Sequence, residues 1–473
     1  MMAVTRLAAA LSAVLLGGCA SMIPDYQRPD APVPAHWVLT EAGAAEADAD
    51  ARAPLEALAW KEYFTDPALQ ALVERALAHN RDLRIAALNI EQARAQYRIS
   101  RADRLPGVDA GAQQSAQRLP DSLSPSGEAA INRQYSATVG LATYELDFFG
   151  RVRSLNEQAL ARFLASEEAH RSARNTLIAE VANAWLRMGA TRELLELASR
   201  TSETRRESLE LTRRSFEGGV LSALDVTQAE TSMLEARADV ASLSVQLAEA
   251  RNALALLVGG QVDEQWLPAR IETAFAAVAE VESGIASSVL TRRPDILSLE
   301  RQLQAANANI GAARAAFFPS ITLTASAGVA SSELDDLFSG GAGMWSFLPR
   351  INLPIFDGGR RAAGLEVAEV QRDIAVAQYE QGIQSAFREV ADALALRASL
   401  AEQLSVRTRL LEVATEHHRL SEARYRSGLD SYLGLLDAQR TLYAAEQALI
   451  STRLSEAGNR VMLYKLLGGG WKD

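Results

Sequence analysis

The chain has one cysteine, Cys19, so no internal disulfide can staple it. Lys61, Lys465 and Lys472 are its only lysines, which leaves little room for lysine chemistry. Of its five histidines, His36, His79, His170, His417 and His418, only the last two are close, and adjacent helical positions point about 100° apart, a poor metal pair. There is no His-Glu-x-x-His, no Gly-x-x-x-x-Gly-Lys phosphate loop and no Gly-x-Ser-x-Gly in a strand-turn-helix setting, so the usual enzymatic signals, cofactors and metal sites are not expected. A formal charge of −11 argues against a nucleic-acid partner, which calls for a basic face. Beyond the first residues no stretch approaches the roughly 18 consecutive apolar residues of a membrane-spanning helix, so a membrane crossing would require a closed β-barrel.

Residues 1–18 read as a secretory signal: Arg6, a short apolar run from Leu7 to Leu16, then Gly17-Gly18. Leu16-Gly17-Gly18-Cys19 looks like a bacterial lipobox, which implies cleavage before Cys19 and its acylation. Ala20, rather than Asp, resembles lipoproteins sorted to the outer membrane. Residues 19–59 are rich in Pro, Ala and Asp, as an extended tether behind a lipid anchor would be.

From Asp66-Pro67, an N-cap followed by proline at the first helical position, the chain turns helical. A second helical run, Asp82 to Arg104, ends at Leu105-Pro106, and its partner further on runs from Arg292-Arg293-Pro294-Asp295 to Phe317-Phe318-Pro319. After each proline the period changes from 3.6 to 2. Ile321, Leu323, Ala325, Ala327 and Val329 alternate with polar or small residues, and Trp345 to Pro354 reads as the returning strand. The first half repeats this less cleanly, with Val108 to Gln117 and Tyr135 to Leu146. Each half thus offers one hairpin, 108–146 and 320–355.

Asp147-Phe148-Phe149-Gly150-Arg151 and Phe356-Asp357-Gly358-Gly359-Arg360 then align, and 360 − 151 gives an offset of 209. Helical periodicity follows over 152–215 and 361–424, with descending helices Leu221–Val258 and Leu429–Leu467. Between them lie two turns of the same plan, Phe216 to Ala229 and Tyr425 to Arg440. The expected domains are 60–260 and 284–469 as two repeats, with a linker at 261–283 and a tail at 470–473. Alanine-rich helices with sparse large aliphatics fit either a thin curved wall or an elongated bundle; two amphipathic hairpins, useless to a soluble bundle, favour the wall. Four strands cannot close a barrel, so the chain must associate, and three copies would give twelve strands.

The lipobox, Pro24-Asp25-Tyr26, Arg28-Pro29, Trp60, Asn80-Arg81-Asp82-Leu83, Arg292 to Asp295, Phe317 to Ser320, Phe356 to Arg360 and Tyr425 to Arg440 resemble outer-membrane efflux factors of the TolC and OprM type, in the NodT-like lipoprotein branch. The resemblance implies a mainly helical chain whose four strands enter a shared trimeric outer-membrane β-barrel above an α-barrel. It implies a homotrimeric passive duct in outer-membrane lipid, reaching into the periplasm and working with a periplasmic adaptor (membrane fusion) protein and an inner-membrane pump of the RND type. Ducts for type I protein secretion or metal-cation efflux, and a lipid-anchored scaffold without a pore, are the alternatives.

Two sets of site residues follow. Phe216, Gly219, Val220 and Leu224 in the first turn, with Gly428 and Leu429 in the second, form glycine turns with an aromatic before them and apolar residues after, suited to docking an adaptor hairpin; the same residues could serve only to close the turns. Leu433, Asp437 and Arg440, spaced i, i+4, i+7, share one helix face. The resemblance implies that Leu433 and Asp437 constrict the periplasmic end and that Tyr425, Arg426 and Arg440 join the network holding it shut. A simple Asp437–Arg440 pair on one helix is the plainer alternative.

Overall fold

The computed structural model describes residues 21–37, 59–124, 127–276, 278–279 and 287–469. The expected signal, Cys19, most of the tether and the 470–473 tail lie outside the described residues. Among the described residues, thirteen α-helices and β-strands follow one another: α1 Trp60–Tyr63, α2 Pro67–His79, α3 Arg81–Ala102, β1 Val108–Leu119, β2 Ala130–Leu146, α4 Arg151–Glu217, α5 Ala223–Val258, α6 Ile271–Ala276, α7 Pro294–Ala315, β3 Ser320–Ser331, β4 Gly343–Asn352, α8 Arg360–Arg426 and α9 Tyr432–Leu466. The repeat is visible in the lengths. α3 and α7 have 22 residues each, α4 and α8 have 67 each, and α5 and α9 have 36 and 35.

The chain folds as two compact units. One holds the described residues of 1–30, 89–167 and 298–379, and the other those of 31–88, 168–297 and 380–473. In the first lies a four-stranded antiparallel sheet ordered β1-β2-β3-β4. β1 pairs β2 from Val108↔Leu141 to Leu119↔Ala130, β2 pairs β3 from Tyr135↔Ser331 to Leu146↔Ile321 with a bulge between Leu141 and Tyr144, and β3 pairs β4 from Ser320↔Asn352 to Val329↔Gly343. The β2–β3 ladder joins the two sequence halves edge to edge. β2 begins at Ala130, five residues before the expected Tyr135, because residues 130–134 (Ala-Ile-Asn-Arg-Gln) continue the ladder with β1 although their polarity carries no alternation. A ladder needs backbone groups, not an apolar face.

Residues 21–30 belong to this unit and are docked rather than loose. Asn307 Nδ2 donates to Pro24 O (2.8 Å), Tyr26 donates its hydroxyl to Glu300 (3.2 Å), and Arg28 pairs with the same carboxylate (2.5 Å). Within the segment expected as a tether, α7 thus holds one backbone carbonyl and two side chains of residues 21–30.

In the second unit, Asp66 caps α2 by accepting from Ala68 N (2.7 Å) and Leu69 N (3.0 Å), and α2 buries Leu69, Leu72, Val73 and Ala76 at helical spacing. Asn80 then works at two helix ends at once. Its Oδ1 accepts from Leu83 N (2.9 Å) and its Nδ2 donates to Leu257 O (2.9 Å), one of the orphan carbonyls that close α5. In the second half Arg293, just before α7, closes α9 in the same way, since its Nη1 donates to Leu466 O (3.3 Å) and 466 − 257 is again 209. Arg293 is buried and also binds Asp295 (2.7 Å) and Glu389 (3.3 Å). Both carboxylates are about 40% exposed, but removing one leaves the buried guanidinium less compensated, which gives Arg293 and Asp295 a structural role. The expected linker at 261–283 contains α6, whose Ile271 and Ala274 are fully buried.

Candidate functional site

The two helical turns lie in the second unit, and each is dictated locally. α4 ends at Glu217; Gly219 takes φ 75°, Gly219 N donates to Phe216 O (2.9 Å) and Val220 N to Ser215 O (2.9 Å). In the second turn Gly428 takes φ 73°, Gly428 N donates to Tyr425 O (3.0 Å) and Leu429 N to Arg424 O (2.9 Å). This paired return of N–H groups to the last carbonyls is the glycine-terminated helix end.

What fixes the next helix differs. Ser222 caps α5 through a reciprocal box: its Oγ accepts from Asp225 N (3.3 Å) while Asp225 Oδ2 accepts from Ser222 N (2.9 Å) and Ser222 Oγ (2.6 Å). Those bonds hold the Asp225 carboxyl below its ordinary pKa. Ser431 stands in the same place before α9 but makes no side-chain cap bond, since Gly434 occupies the position equivalent to Asp225. An ion pair substitutes. Arg424 Nε donates to Asp430 Oδ2 (2.6 Å) and Nη2 to Oδ1 (2.9 Å), depressing the Asp430 pKa and raising that of Arg424.

Beside the turns, Leu209 of α4, Ala229 of α5 and Tyr432 and Leu436 of α9 form a buried cluster with Val226, Met233 and Tyr425 packed against it. Tyr425 meets Tyr432 edge to face at 5.8 Å. The cluster unites the two helical hairpins near their tips. The docking candidates point outward: Phe216, Val220, Leu224 and Leu429 are exposed, and nothing surrounds Gly219 or Gly428 within 4 Å of a would-be Cβ.

Leu433, Asp437 and Arg440 all lie on the exposed face of α9, while Tyr432, Leu435, Leu436 and Ala438 are buried. Arg440 does not pair with Asp437. It reaches Glu235 of α5 (3.6 Å), so the bridge runs between hairpins. Arg426 pairs with Glu422 one turn back (2.6 Å), and among the described residues Asp437 has no ion-pair partner. Four turns before Gly219, buried Arg205 donates Nη1–H to Ser232 O (3.0 Å) and lies 5.6 Å from the Tyr443 ring, whose hydroxyl donates to Asp239 (3.1 Å). Sequence reasoning missed Arg424, Asp430, Glu235, Arg205 and Asp239. A six-residue Arg-to-Asp span across Ser-Gly could have signalled the clasp. Arg205, Asp239 and Tyr443 sit on three helices, and no local pattern links them.

Among the described residues no cluster of three His, Cys, Asp or Glu side chains could hold a metal ion, and no helix is long and apolar enough to cross a membrane. The turns are solvated, carry exposed apolar side chains and are bordered by an interhelical charge pair. Together with the twice-built helical hairpin and the open amphipathic sheet, they define a channel-forming class of protein built from two repeats.

Comparison with known proteins agrees. The family model for outer membrane efflux proteins matches residues 72–260 and 285–469, and the chain belongs to that family. It is 50% identical over 467 residues to the probable efflux pump outer membrane protein TtgC of Pseudomonas putida, covering 99% of this chain and 96% of that one. It is 44% identical over 465 residues to outer membrane protein OprJ of Pseudomonas aeruginosa (98% and 96% covered). Among solved structures, the open-state MtrE outer membrane channel of Neisseria gonorrhoeae superposes with a TM-score of 0.84 at 40% identity, covering 96% of this chain and 99% of that one. The chain is therefore an outer-membrane efflux protein, mainly helical with a four-stranded part.

Proposed function

We propose that three copies form a passive duct that carries small organic compounds across the outer membrane on behalf of an inner-membrane pump of the RND type and a periplasmic adaptor. The observation that carries this reading is the open sheet: β1 and β4 are its edges, and both are long and exposed. Four strands enclose nothing and leave two edges for association, whereas twelve surround a lumen. Trp345, Phe347 and Ile351 of β4 are exposed in the single chain, as lipid-facing or neighbour-facing residues would be. The duct does no chemistry of its own. Relatives described as toluene and antibiotic efflux pump outer membrane proteins, both from Pseudomonas putida, support the substrate class.

Within this reading the two repeats are 60–260 and 284–469. The exposed tip residues Phe216, Gly219, Val220, Leu224, Gly428 and Leu429 dock the adaptor. Leu433 and Asp437, repeated three times around an axis, form the constriction, with Arg440 and its Glu235 bridge beside it; Tyr425 braces it through Tyr432, and Arg426 lies next to the turn. Cys19 is acylated and anchors the mature chain. Cys19→Ser should remove the lipid mass increment from the purified protein, and an unchanged mass would defeat the anchor.

Trimer formation is tested with cysteines placed at Gln113 of β1 and, one at a time, at positions 345–351 of β4, in a Cys19→Ser background. Crosslinked dimers and trimers are expected for at least one pairing in folded protein. Monomers at every position would overturn the shared barrel.

A further inference from the structure

We infer that the groove between α3 and α4 binds neutral amphipathic compounds bearing amide or hydroxyl groups, on the inner wall of the duct. Its place on that wall rests on the duct reading; its chemistry does not. The groove encloses about 480 Å³, within the range of small-molecule sites. Asn89, Gln92 and Gln96 of α3 and Gln158 of α4 line it, together with Ile99 and Leu155. Ala93 and Ala159 leave it open.

The two faces of α3 differ in chemistry. The lining residues, from Asn89 to Asp103, fall within about 120° of the helix circumference, and Glu91, Arg94, Arg98 and Arg101 fall on the opposite side. Charge therefore lies on one face and carboxamides on the other. Which face is inner follows from the repeat. α7 corresponds to α3 with an offset of 294 − 81 = 213. The α7 residues that meet the segment 21–30, namely Glu300, Asn307 and Gly311, thus correspond to positions 87, 94 and 98. A tether leading to a lipid anchor runs outside a duct, so the charged face of α3 is the outer one and the groove opens inward. α7 agrees, since Gln302 and Asn309 are both accessible to solvent and stand at the positions equivalent to Asn89 and Gln96.

The lining selects the ligand. Asn89, Gln92 and Gln96 are exposed and Gln158 is half-buried, and among the described residues none of the four side chains makes a hydrogen bond. Their donors and acceptors are open to a ligand, and a carboxamide offers both without charge. Only Asp103 and Arg162 of the lining are charged, with opposite signs, so the groove demands no net charge. An ionic compound would give up hydration there for neutral dipoles. A neutral one loses less and lays its apolar body on Ile99 and Leu155.

The probe is N-acetylphenylalaninamide, a neutral aromatic compound with two amides, titrated calorimetrically into the purified full-length protein at pH 6. N-acetylphenylalanine and phenylalaninamide keep the ring but are an anion and a cation at that pH. One saturable site per chain is expected, at least about fivefold weaker for either ion. Gln92→Leu and Gln96→Leu, which keep bulk and lose the amide, should each weaken the neutral probe by about threefold or more. Ala159→Trp, which fills the groove from α4, should abolish binding. Arg98→Leu, on the opposite face, should leave it unchanged, and all four variants should keep the parent's oligomer mass and melting temperature. Planar-bilayer conductance of the same preparations separates the groove from the duct. A conducting protein that shows no saturation up to about 10 mM overturns the groove and leaves the duct standing, whether the groove holds water alone or a neighbouring copy. Equal affinity for all three compounds overturns it too, as does unchanged affinity in Gln92→Leu, Gln96→Leu and Ala159→Trp. Saturating probe should also reduce the channel current; an unchanged current in a protein that binds would overturn the inner-wall placement.

Discussion

Arg424 clasps Asp430 across the second turn with two charge-assisted bonds of 2.6 and 2.9 Å, where the first turn relies on Ser222 and Asp225 of a single helix end. The same backbone reversal is thus secured twice by different chemistry. An ion pair between exposed groups is screened by salt, whereas a capping box is local hydrogen bonding and much less so.

Both devices need an ionised carboxylate, and both carboxyls have depressed pKa values in the folded chain. A depressed folded pKa means that the contribution is present above the unfolded pKa and is lost as pH falls through the folded value. Both turns should therefore loosen in acid, but only the second should loosen at neutral pH in high salt. Hydrogen exchange of residues 424–431 against 215–222, corrected for intrinsic rates, reads the difference. Equal response of the two turns to salt would refute it. Asp430→Asn should reproduce the high-salt behaviour at pH 7 and leave the first turn unchanged.

Gly219 and Gly428 sit at positive φ with open space around them, so a side chain there meets strain rather than a clash. A β-branched residue in left-handed geometry costs about 1–2 kcal/mol. Such a cost is absorbed by rearranging the exposed turn, not by unfolding helices of 67 residues. Gly219→Val and Gly428→Val should abolish crosslinking to the adaptor while trimer mass stays unchanged. Loss of both together would show misfolding and refute a docking role confined to the turns.

How much of this could be read from the sequence depends on whether the determining physics is local. The change from period 3.6 to 2 at Pro106 and Pro319 and the glycines at 219 and 428 are local signals, and they expose the two-repeat plan of helices, strands and turns. The early start of β2 was hidden because residues 130–134 pair through backbone groups and carry no apolar alternation. The docking of residues 21–30 was hidden for a related reason: Asn307 and Glu300, which hold Pro24, Tyr26 and Arg28, come from a helix more than 270 residues away. At the candidate gate, the i, i+4, i+7 face of Leu433, Asp437 and Arg440 was legible, but the Arg440 bridge was not. The 209-residue offset directs attention to Thr231, whereas the actual partner is Glu235, one helical turn further along α5.

The docked segment makes its own prediction. A Cβ on buried Gly311 would fall 2.6 Å from both Ile23 Cγ1 and Ser154 Oγ and 2.9 Å from Ile23 N. Backbone and an adjoining helix cannot both retreat, and overpacking typically costs about 1–3 kcal/mol. Gly311→Val should detach residues 21–28 while the sheet stays folded, seen as new chymotryptic cleavage after Tyr26 with the strand content by circular dichroism unchanged. Continued protection of the Tyr26–Gln27 bond would mean that the segment is held elsewhere.

The bridge between hairpins bears most directly on the proposed gate. Arg440 and Glu235 are each about half exposed and 3.6 Å apart, so in the single chain the pair contributes at most about 1 kcal/mol. It cannot by itself lock a duct. In the proposed trimer, Asp437, which has no ion-pair partner among the described residues, would alter the balance: three carboxylates facing one axis would attract cations, and each that found a donor on a neighbouring chain would gain a charge-assisted bond of about 1.5–3 kcal/mol. Arg440→Ala and Asp437→Ala, singly, should therefore raise the resting conductance of purified trimers in planar bilayers, with Asp437→Ala also lowering cation preference in reversal potentials under a salt gradient. Glu235→Ala should raise conductance less than Arg440→Ala, since it removes only the weak bridge within the chain. Gln228→Ala and Thr231→Ala, at the equivalent positions of the first hairpin, should do little. If all five variants conduct and select like the parent, the exposed face of α9 does not line the gate.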